Sequence, residues 1–201
     1  MNEPIEGLNV EVEFDYKAGK KGLKTMMPNI TRDEDYVVQY VGIWKIIFDY
    51  VIQMNAKTVL EFGTRDGYST RLFALALKET GGRIKTVDVN LPKTPFTEDN
   101  VTVITEDIEK FEYYPSGQLD ILYIDDWHNG HHLYYELNRF ARMARVVMIH
   151  DVCLDEELMG GLIKWCKHNM MIYTIYPMNG CGLAVIEVEK SGAFYDPSNG
   201  G

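Results

Sequence analysis

Apolar segments of strand length alternate with segments of helical periodicity along this chain, and no other feature constrains its fold as much. The seven strand-like segments are 57–62, 83–89, 101–104, 119–124, 145–149, 171–176 and 183–188. Strands that alternate with helices predict a parallel sheet with helices on both faces. The turn sequence PMNGCG before the last segment predicts a C-terminal hairpin, and therefore an antiparallel strand at the edge of the sheet.

The chain is predicted to contain one domain with an extension at each end. Residues 1–30 have weak periodicity, so we predict an N-terminal arm or lid there. Thr31 and Glu34 have the spacing of a capping box, and the helix that they predict opens a single domain over residues 31–190. Residues 191–201 are predicted to form a flexible tail.

Net charge and cysteine content indicate which partners are disfavoured and in which cellular compartment the protein is expected. The formal net charge is −10, which argues against a nucleic-acid partner because phosphate binding needs a basic face. The three cysteines have no C-x-x-C spacing, which is typical of free thiols in a reducing compartment. No apolar run has the length of a bilayer span, and the first ten residues lack a signal-peptide core. We therefore expect a cytoplasmic protein with no membrane partner.

A glycine loop follows the first strand-like segment, in the sequence Glu61-Phe-Gly63-Thr-Arg-Asp-Gly67-Tyr-Ser69. Gly63 permits a tight turn, and Gly67 permits close approach of the backbone to a bound ligand. The N–H groups that open the next helix point at the same place. The G-x-x-x-G spacing differs from the G-x-G-x-x-G loop that cradles a dinucleotide pyrophosphate, which disfavours a nicotinamide cofactor.

Carboxylates stand at the predicted ends of five strands. They are Glu61, Asp88, Asp107, Asp125 and Asp151, the last preceded by His150. In open sheets of this kind, ligands bind beyond the carboxyl ends of the strands. A carboxylate at the position of Asp88 can accept two hydrogen bonds from a ribose diol. The carboxylates therefore predict a nucleoside-containing ligand at this edge.

These motifs resemble those of the class I S-adenosylmethionine-dependent methyltransferases. The glycine loop is similar to their first motif, E/D-x-G-x-x-x-G-x-S, and the terminal hairpin is their usual ending. The closer resemblance is to the small-molecule O-methyltransferase branch with the catechol, caffeoyl-CoA, macrocin-type and cephalosporin-cluster enzymes. It rests on IDDWHNG at residues 124–130, on the later acid Glu136 and on His150-Asp151-Val152.

The resemblance implies a Rossmann-like doubly wound sheet and methyl transfer from S-adenosylmethionine to an oxygen of a small molecule. It also implies roles for the residues around the predicted ligand. Those expected to contact the cofactor are Glu61, Gly63, Thr64, Gly67, Ser69 and Asp125 near the methionine part, Asp88 at the ribose, and Asp107 and Ile108 at the adenine.

The catalytic group is expected to lie after the fourth and fifth strands. His128 follows Asp125 closely and has an ordinary pKa near working pH, so it is the candidate general base. Asp125 and Asp151, with His150, could instead hold a divalent metal, and the histidine would favour a transition metal over Mg²⁺. The alternative to a metal site is that Asp125 and Asp151 only cap the following helices or form hydrogen bonds with loops. His131 and His132 are expected to face solvent.

Several departures from the branch leave other readings open. Residues 140–145 replace a usual Pro-Gly-Gly turn, Asp126 and Trp127 replace a small and an acidic residue, and Gly130 replaces an aromatic residue. A nicotinamide-dependent Rossmann oxidoreductase and a non-catalytic cofactor- or partner-binding domain are the alternative functions. Trp127 could form a wall of the substrate pocket. A homodimer through the first helix or the N-terminal arm also stays open.

Overall fold

A computed structural model describes residues 34–113, 119–177 and 181–188, which form one seven-stranded sheet flanked by helices. The strands are β1 (Thr58–Phe62), β2 (Arg83–Asp88), β3 (Val101–Thr105), β4 (Leu119–Ile124), β5 (Ala144–His150), β6 (Tyr173–Tyr176) and β7 (Leu183–Glu187). The helices are α1 (Glu34–Gln53), α2 (Tyr68–Thr80), α3 (Gly130–Phe140) and α4 (Glu156–Asn169).

The strand order is β3-β2-β1-β4-β5-β7-β6, with β1 to β5 parallel. Strand β7 is antiparallel to both β5 and β6. The predicted fold class is therefore confirmed, and the C-terminal hairpin forms the predicted antiparallel edge. The antiparallel strand β7 lies inside the sheet, and β6 forms the edge. The apolar sequence LAVI of β7 is buried, whereas all four residues of β6 are only partly buried, which explains this order.

Strand β1 is the point at which the strand order reverses. It pairs with β2 on one side and with β4 on the other. The connections that leave β1 and β4 therefore diverge and open a crevice at the carboxyl ends of these strands. This crevice is where the sequence places its glycine loop and its acids.

Two hydrophobic cores cover the two faces of the sheet. One packs α1 and α2 against the sheet, with Ile47 and Phe73 completely buried. The other packs α3 and α4, with Leu137 and Trp165 among its buried residues. Each face thus buries an amphipathic helix pair, as the alternating pattern predicts.

Helices α3 and α4 touch through two glycines. A Cβ atom built on Gly130 would lie 2.1 Å from the Glu157 carbonyl oxygen, and one built on Gly161 would lie 2.5 Å from the Gly130 carbonyl oxygen. Only glycine permits this backbone approach. The start of α3, directly after the predicted catalytic loop, is therefore held against α4.

The turn before β5 is a short 3-10 helix, Ala141–Met143, in place of the Pro-Gly-Gly of the resembling branch. Ala141 is buried, so this turn packs into the core. The predicted N-terminal arm, the cap at Thr31 and the predicted tail lie outside the described residues. Within the described ranges, no helix is long and apolar enough to cross a membrane.

Candidate active site

A cavity of about 500 Å³ opens at the carboxyl ends of the central strands, beside the glycine loop. Its wall is formed by the ends of β1, β2, β4 and β5 and by the loops that follow these strands and β3. Of the predicted site residues, those that line it are Gly63, Thr64, Gly67, Ser69, Asp88, Asp107, Ile108, Asp125, His128, His150 and Asp151. The topology thus brings together residues that are up to 88 positions apart in the sequence (63 to 151).

The two loop glycines are required by conformation and by space. Gly63 has φ +91°, and a Cβ atom there would lie 2.2 Å from the Asp125 carbonyl oxygen. Gly67 has φ +75°, and its Cβ would lie 2.5 Å from the Phe96 ring. Both φ values belong to the left-handed region that favours glycine. The loop therefore packs directly against the backbone that follows β4.

Glu61 does not line the cavity, and its expected place around the methionine part of the cofactor stays a prediction. Its side chain is completely buried beneath the loop. The hydroxyls of Ser69 and Thr70 each donate a hydrogen bond of 2.5 Å to its carboxylate. Burial raises the pKa of Glu61 to about 7, although these hydrogen bonds oppose the shift. Glu61 therefore fixes the start of α2 and supports Ser69 from behind.

Asp88 ends β2 at the wall of the cavity. Its carboxylate accepts hydrogen bonds from the backbone N–H groups of Arg65 and Asn90, both at 2.9 Å. Two carboxylate oxygens offer about four acceptor sites, so two sites remain for a ligand diol. The bond to Arg65 also ties the glycine loop to β2.

Asp107 and Ile108 form the far end of the cavity. The Glu109 backbone N–H donates to the Asp107 carboxylate at 3.0 Å, and this bond lowers the pKa of Asp107 below its ordinary value. Ile108 is almost fully buried and offers an apolar surface. An acceptor beside a flat apolar surface suits the amino group and the ring of a purine.

Two carboxylates and two histidines meet where β4 and β5 end. His128 Nε2 lies 3.3 Å from Asp151 Oδ2 and 3.8 Å from Asp125 Oδ1. His150 Nδ1 lies 3.3 Å from Asp125 Oδ1 and 3.1 Å from Asp151 Oδ1. Asp151 has φ +58°, a strained value for a residue other than glycine, and such strain is typical of functional sites.

The two carboxylates and two histidines shift one another's pKa values as neighbouring groups of opposite charge do. Burial alone would lower the pKa of His150, but the two adjoining carboxylates raise it to about 10. Burial would raise the pKa of Asp125, but the nearby His150 and His128 lower it to about 2. The carboxylate of Asp125 raises the pKa of His128, against partial burial. The buried histidine is thus a cation at neutral pH, and His128 titrates above its ordinary range.

Asp125, His128 and Asp151 offer one ligand atom each within 4.8 Å of one another. These residues fit a divalent ion with mixed nitrogen and oxygen ligands. His150 Nδ1 faces both carboxylates, so the protonated His150 would compete with a metal ion for them. The predicted metal at Asp125, Asp151 and His150 therefore stays a prediction.

One expectation for α3 is wrong. His132 does not face solvent, because its side chain is only 9% exposed and its Nε2 lies 3.0 Å from Asp126 Oδ2. His131, the preceding residue, is exposed as predicted. The Asn129 side chain caps α3 by accepting from the N–H groups of both histidines, and this fixes which side of the helix each residue occupies.

Sequence reasoning missed several residues at the cavity. Tyr123 on β4 is buried against it, and burial raises the pKa of its hydroxyl well above the ordinary value. The alternation of β4 could not reveal Tyr123, because every residue of that strand is buried. Trp127 does line the cavity, as predicted for a pocket wall, and is 65% exposed.

Comparison with known proteins agrees with this geometry. Residues 60–152, which include the glycine loop and the two histidines, match a family model described as a methyltransferase domain. A search among curated proteins gives no match to the chain.

Solved structures share the fold at low sequence identity. Cofactor-bound Rv0187 from MTB is 19% identical with a TM-score of 0.59, covering 87% of this chain and 88% of that one. The O-methyltransferase from Bacillus cereus in complex with SAH is 14% identical with a TM-score of 0.54, covering 86% and 99%. TomG from Streptomyces achromogenes, an O-methyltransferase of tomaymycin synthesis in complex with SAM, is 15% identical with a TM-score of 0.53, covering 90% and 92%. Residues 60–152 thus match a methyltransferase domain, and the described residues have the fold of these solved O-methyltransferases, as the sequence predicts.

Proposed function

We propose that this chain transfers the activated methyl group of S-adenosylmethionine to a hydroxyl oxygen of a small molecule. The observation that carries the proposal is the position of His128, which lines the cavity beside the glycine loop and contacts a buried carboxylate. A base there lies within reach of an acceptor that faces the cofactor sulfur.

The cofactor would lie across the carboxyl ends of the first three strands. The glycine loop with Thr64 and Ser69 would surround its methionine part, and Asp125 would flank the reacting end. Asp88 would accept from the ribose hydroxyls, and Asp107 with Ile108 would hold the adenine. All of these residues line the same cavity, which supports this placement of the cofactor.

The transfer is an in-line displacement. A lone pair of the acceptor oxygen forms the new bond to the methyl carbon, and the bond from that carbon to sulfur breaks, which leaves S-adenosylhomocysteine. The hydroxyl proton passes to the neutral imidazole of His128, and Asp151, whose Oδ2 lies 3.3 Å from His128 Nε2, stabilises the imidazolium. Because the chemistry needs little else, most of the rate enhancement comes from positioning of the two reactants.

A divalent ion, when bound, would supply a Lewis acid that polarises the acceptor hydroxyl. Asp125, His128 and Asp151 would hold it. The protein has its own alternative, since the buried cation His150 already offsets part of the negative charge of the two carboxylates.

Trp127 supports a small aromatic or otherwise flat acceptor. Its ring is large, mostly exposed and part of the cavity wall, and the rim beside it carries Asp126. An exposed indole offers stacking area with one hydrogen-bond donor. An acidic protein with a concave site suits a small molecule better than a polyanion.

Calorimetric titration of the purified chain with S-adenosylhomocysteine tests the proposal, with NADH as the competing ligand. One molecule of S-adenosylhomocysteine is expected per chain, and no heat with NADH. Asp88→Ala should weaken binding roughly tenfold to a hundredfold through the lost hydrogen bonds, while the exposed Glu106→Ala should leave it unchanged. Binding of NADH alone would favour the oxidoreductase. Binding without turnover of any hydroxylated acceptor would favour the non-catalytic domain.

A further inference from the structure

A second cluster of metal-ligand residues includes Asp126, the residue that follows Asp125 of the proposed catalytic group. Asp126, His132 and Glu136 each offer a ligand atom, and these atoms lie within 4.8 Å of one another. His132 and Glu136 are four residues apart on α3, so they share one face of the helix. Asp126 comes from the loop after β4. The cluster therefore joins that loop to the helix.

No hydrogen bond accounts for the burial of the Glu136 carboxylate in this cluster. Its side chain is completely buried, and neither carboxylate oxygen has a hydrogen-bond partner among residues 34–113, 119–177 and 181–188. Its Oε1 lies 3.6 Å from His132 Nε2 and faces into the cluster. Burial of a charged carboxylate without hydrogen bonds is costly, so such a group is protonated, paired or bound to a metal.

The distances have the scale of a coordination shell. His132 Nε2 lies 3.0 Å from Asp126 Oδ2 and 3.6 Å from Glu136 Oε1. Two ligands that are each about 2.1 Å from a tetrahedral ion lie roughly 3.4 Å apart. The other ring nitrogen of His132 lies 3.9 Å from Glu109 Oε1. A carboxylate behind a histidine ligand commonly orients the ring and raises its basicity.

We propose that Asp126, His132 and Glu136 bind a divalent transition-metal ion such as Zn²⁺ or Mn²⁺. One imidazole and two carboxylates favour these ions over Mg²⁺ or Ca²⁺, which prefer oxygen alone. The two negative charges neutralise the ion when the histidine is neutral. This site shares no ligand with Asp125, His128 and Asp151.

The ion has a structural role in this proposal. Asp126 and His132 line the cavity, whereas Glu136 lies behind them, so the ion sits in the cavity wall. The Trp127 ring centroid is 5.4 Å from that of His132. Binding therefore fixes the loop that carries Trp127 and His128 onto α3, and its loss loosens that loop.

The test measures metal content and thermal stability of the full chain. The protein is treated with EDTA, desalted, titrated with ZnCl₂ or MnCl₂ and analysed by elemental mass spectrometry after a second desalting. One ion per chain is expected, with a rise of several degrees in the melting temperature. Glu136→Gln and His132→Gln should each weaken binding at least about tenfold. His131→Gln, on the exposed side of the same helix, is the matched control and should bind normally.

Asp151→Asn separates this site from the catalytic group. It should keep the ion if the proposal is right. Retention of the ion in Glu136→Gln and His132→Gln but its loss in Asp151→Asn would assign the metal to the catalytic carboxylates and overturn the proposal. Absence of bound metal in the wild-type chain would also overturn it. Circular dichroism of each variant checks that the fold is intact.

Discussion

His150 Nδ1 lies 3.3 Å from Asp125 Oδ1, and the imidazole is buried between two strand ends. The pair sets a pH dependence of stability. The pKa of His150 is about 10 in the folded chain against 6.5 for an ordinary histidine. Because the folded value is the higher one, the contribution of the imidazolium to stability is complete below about pH 6.5 and is lost as the pH rises through about 10.

His150→Gln should therefore flatten the alkaline side of the stability profile. In metal-free buffer, the wild-type free energy of unfolding should fall between pH 6.5 and pH 10 by an amount on the order of a few kcal/mol, and the variant should fall less. Urea titrations at several pH values measure this. Parallel profiles for the two proteins would mean that the imidazole is neutral in the fold.

His128→Ala should lower kcat by a factor of about 10² to 10⁴, as expected for loss of a general base. The pKa of His128 is raised, so a pH above the ordinary range of histidine is needed to form the neutral base. Wild-type activity should therefore increase with pH as His128 loses its proton. The variant should lose this dependence. The matched control is His131→Ala, in which the substituted side chain is exposed. If His128→Ala keeps full activity with an unchanged pH profile, another group accepts the proton.

Gly63→Ala should unfold or strongly destabilise the domain. The new Cβ would lie 2.2 Å from the Asp125 carbonyl oxygen at φ +91°, and backbone on both sides prevents relief. We expect a loss of more than about 2 kcal/mol. Gly160→Ala is the control, because nothing lies within 4 Å of its Cβ on an exposed turn of α4, and it should stabilise by about 0.5–1 kcal/mol. Equal melting temperatures for the two variants would contradict the strained geometry.

Asp120→Ala should reduce stability without affecting the site. Its carboxylate accepts from the backbone N–H groups of Lys57 and Thr58 at 2.7 and 3.0 Å, and Arg145 Nη1 lies 3.2 Å away. These contacts lie at the opposite end of β4 from the cavity. Removal should cost about 2–3 kcal/mol with cofactor affinity unchanged. A large loss of affinity in a folded variant would show that the two ends of the sheet are coupled.

The fold was predictable because its signals are local. Each strand is a short apolar segment, and the carboxyl ends of parallel strands must share one edge of the sheet, so Asp88, Asp125 and Asp151 meet by topology alone. The position of β7 inside the sheet was not predictable from turn chemistry. It depends on how deeply each strand of the hairpin is buried.

The depth at which individual side chains lie could not be predicted from the motifs at the site. Glu61 ends a strand like the other acids, but its side chain points under the loop, and a motif does not record that direction. His132 could have been found, since the apolar positions Leu133 and Leu137 already set the buried face of α3. Glu136 lies on the same buried face of α3 as these two leucines, and His132 lies one helical turn before Glu136.

The contact of Gly130 with α4 limits how the acceptor pocket can diversify. Because the backbones touch, residues 126–129 are anchored at both ends, by β4 before them and by α3 after them. An insertion there would have to separate the two helices. We therefore expect that the proposed acceptor preference can be altered by exchanging the side chain at Trp127 with the length of the loop held constant.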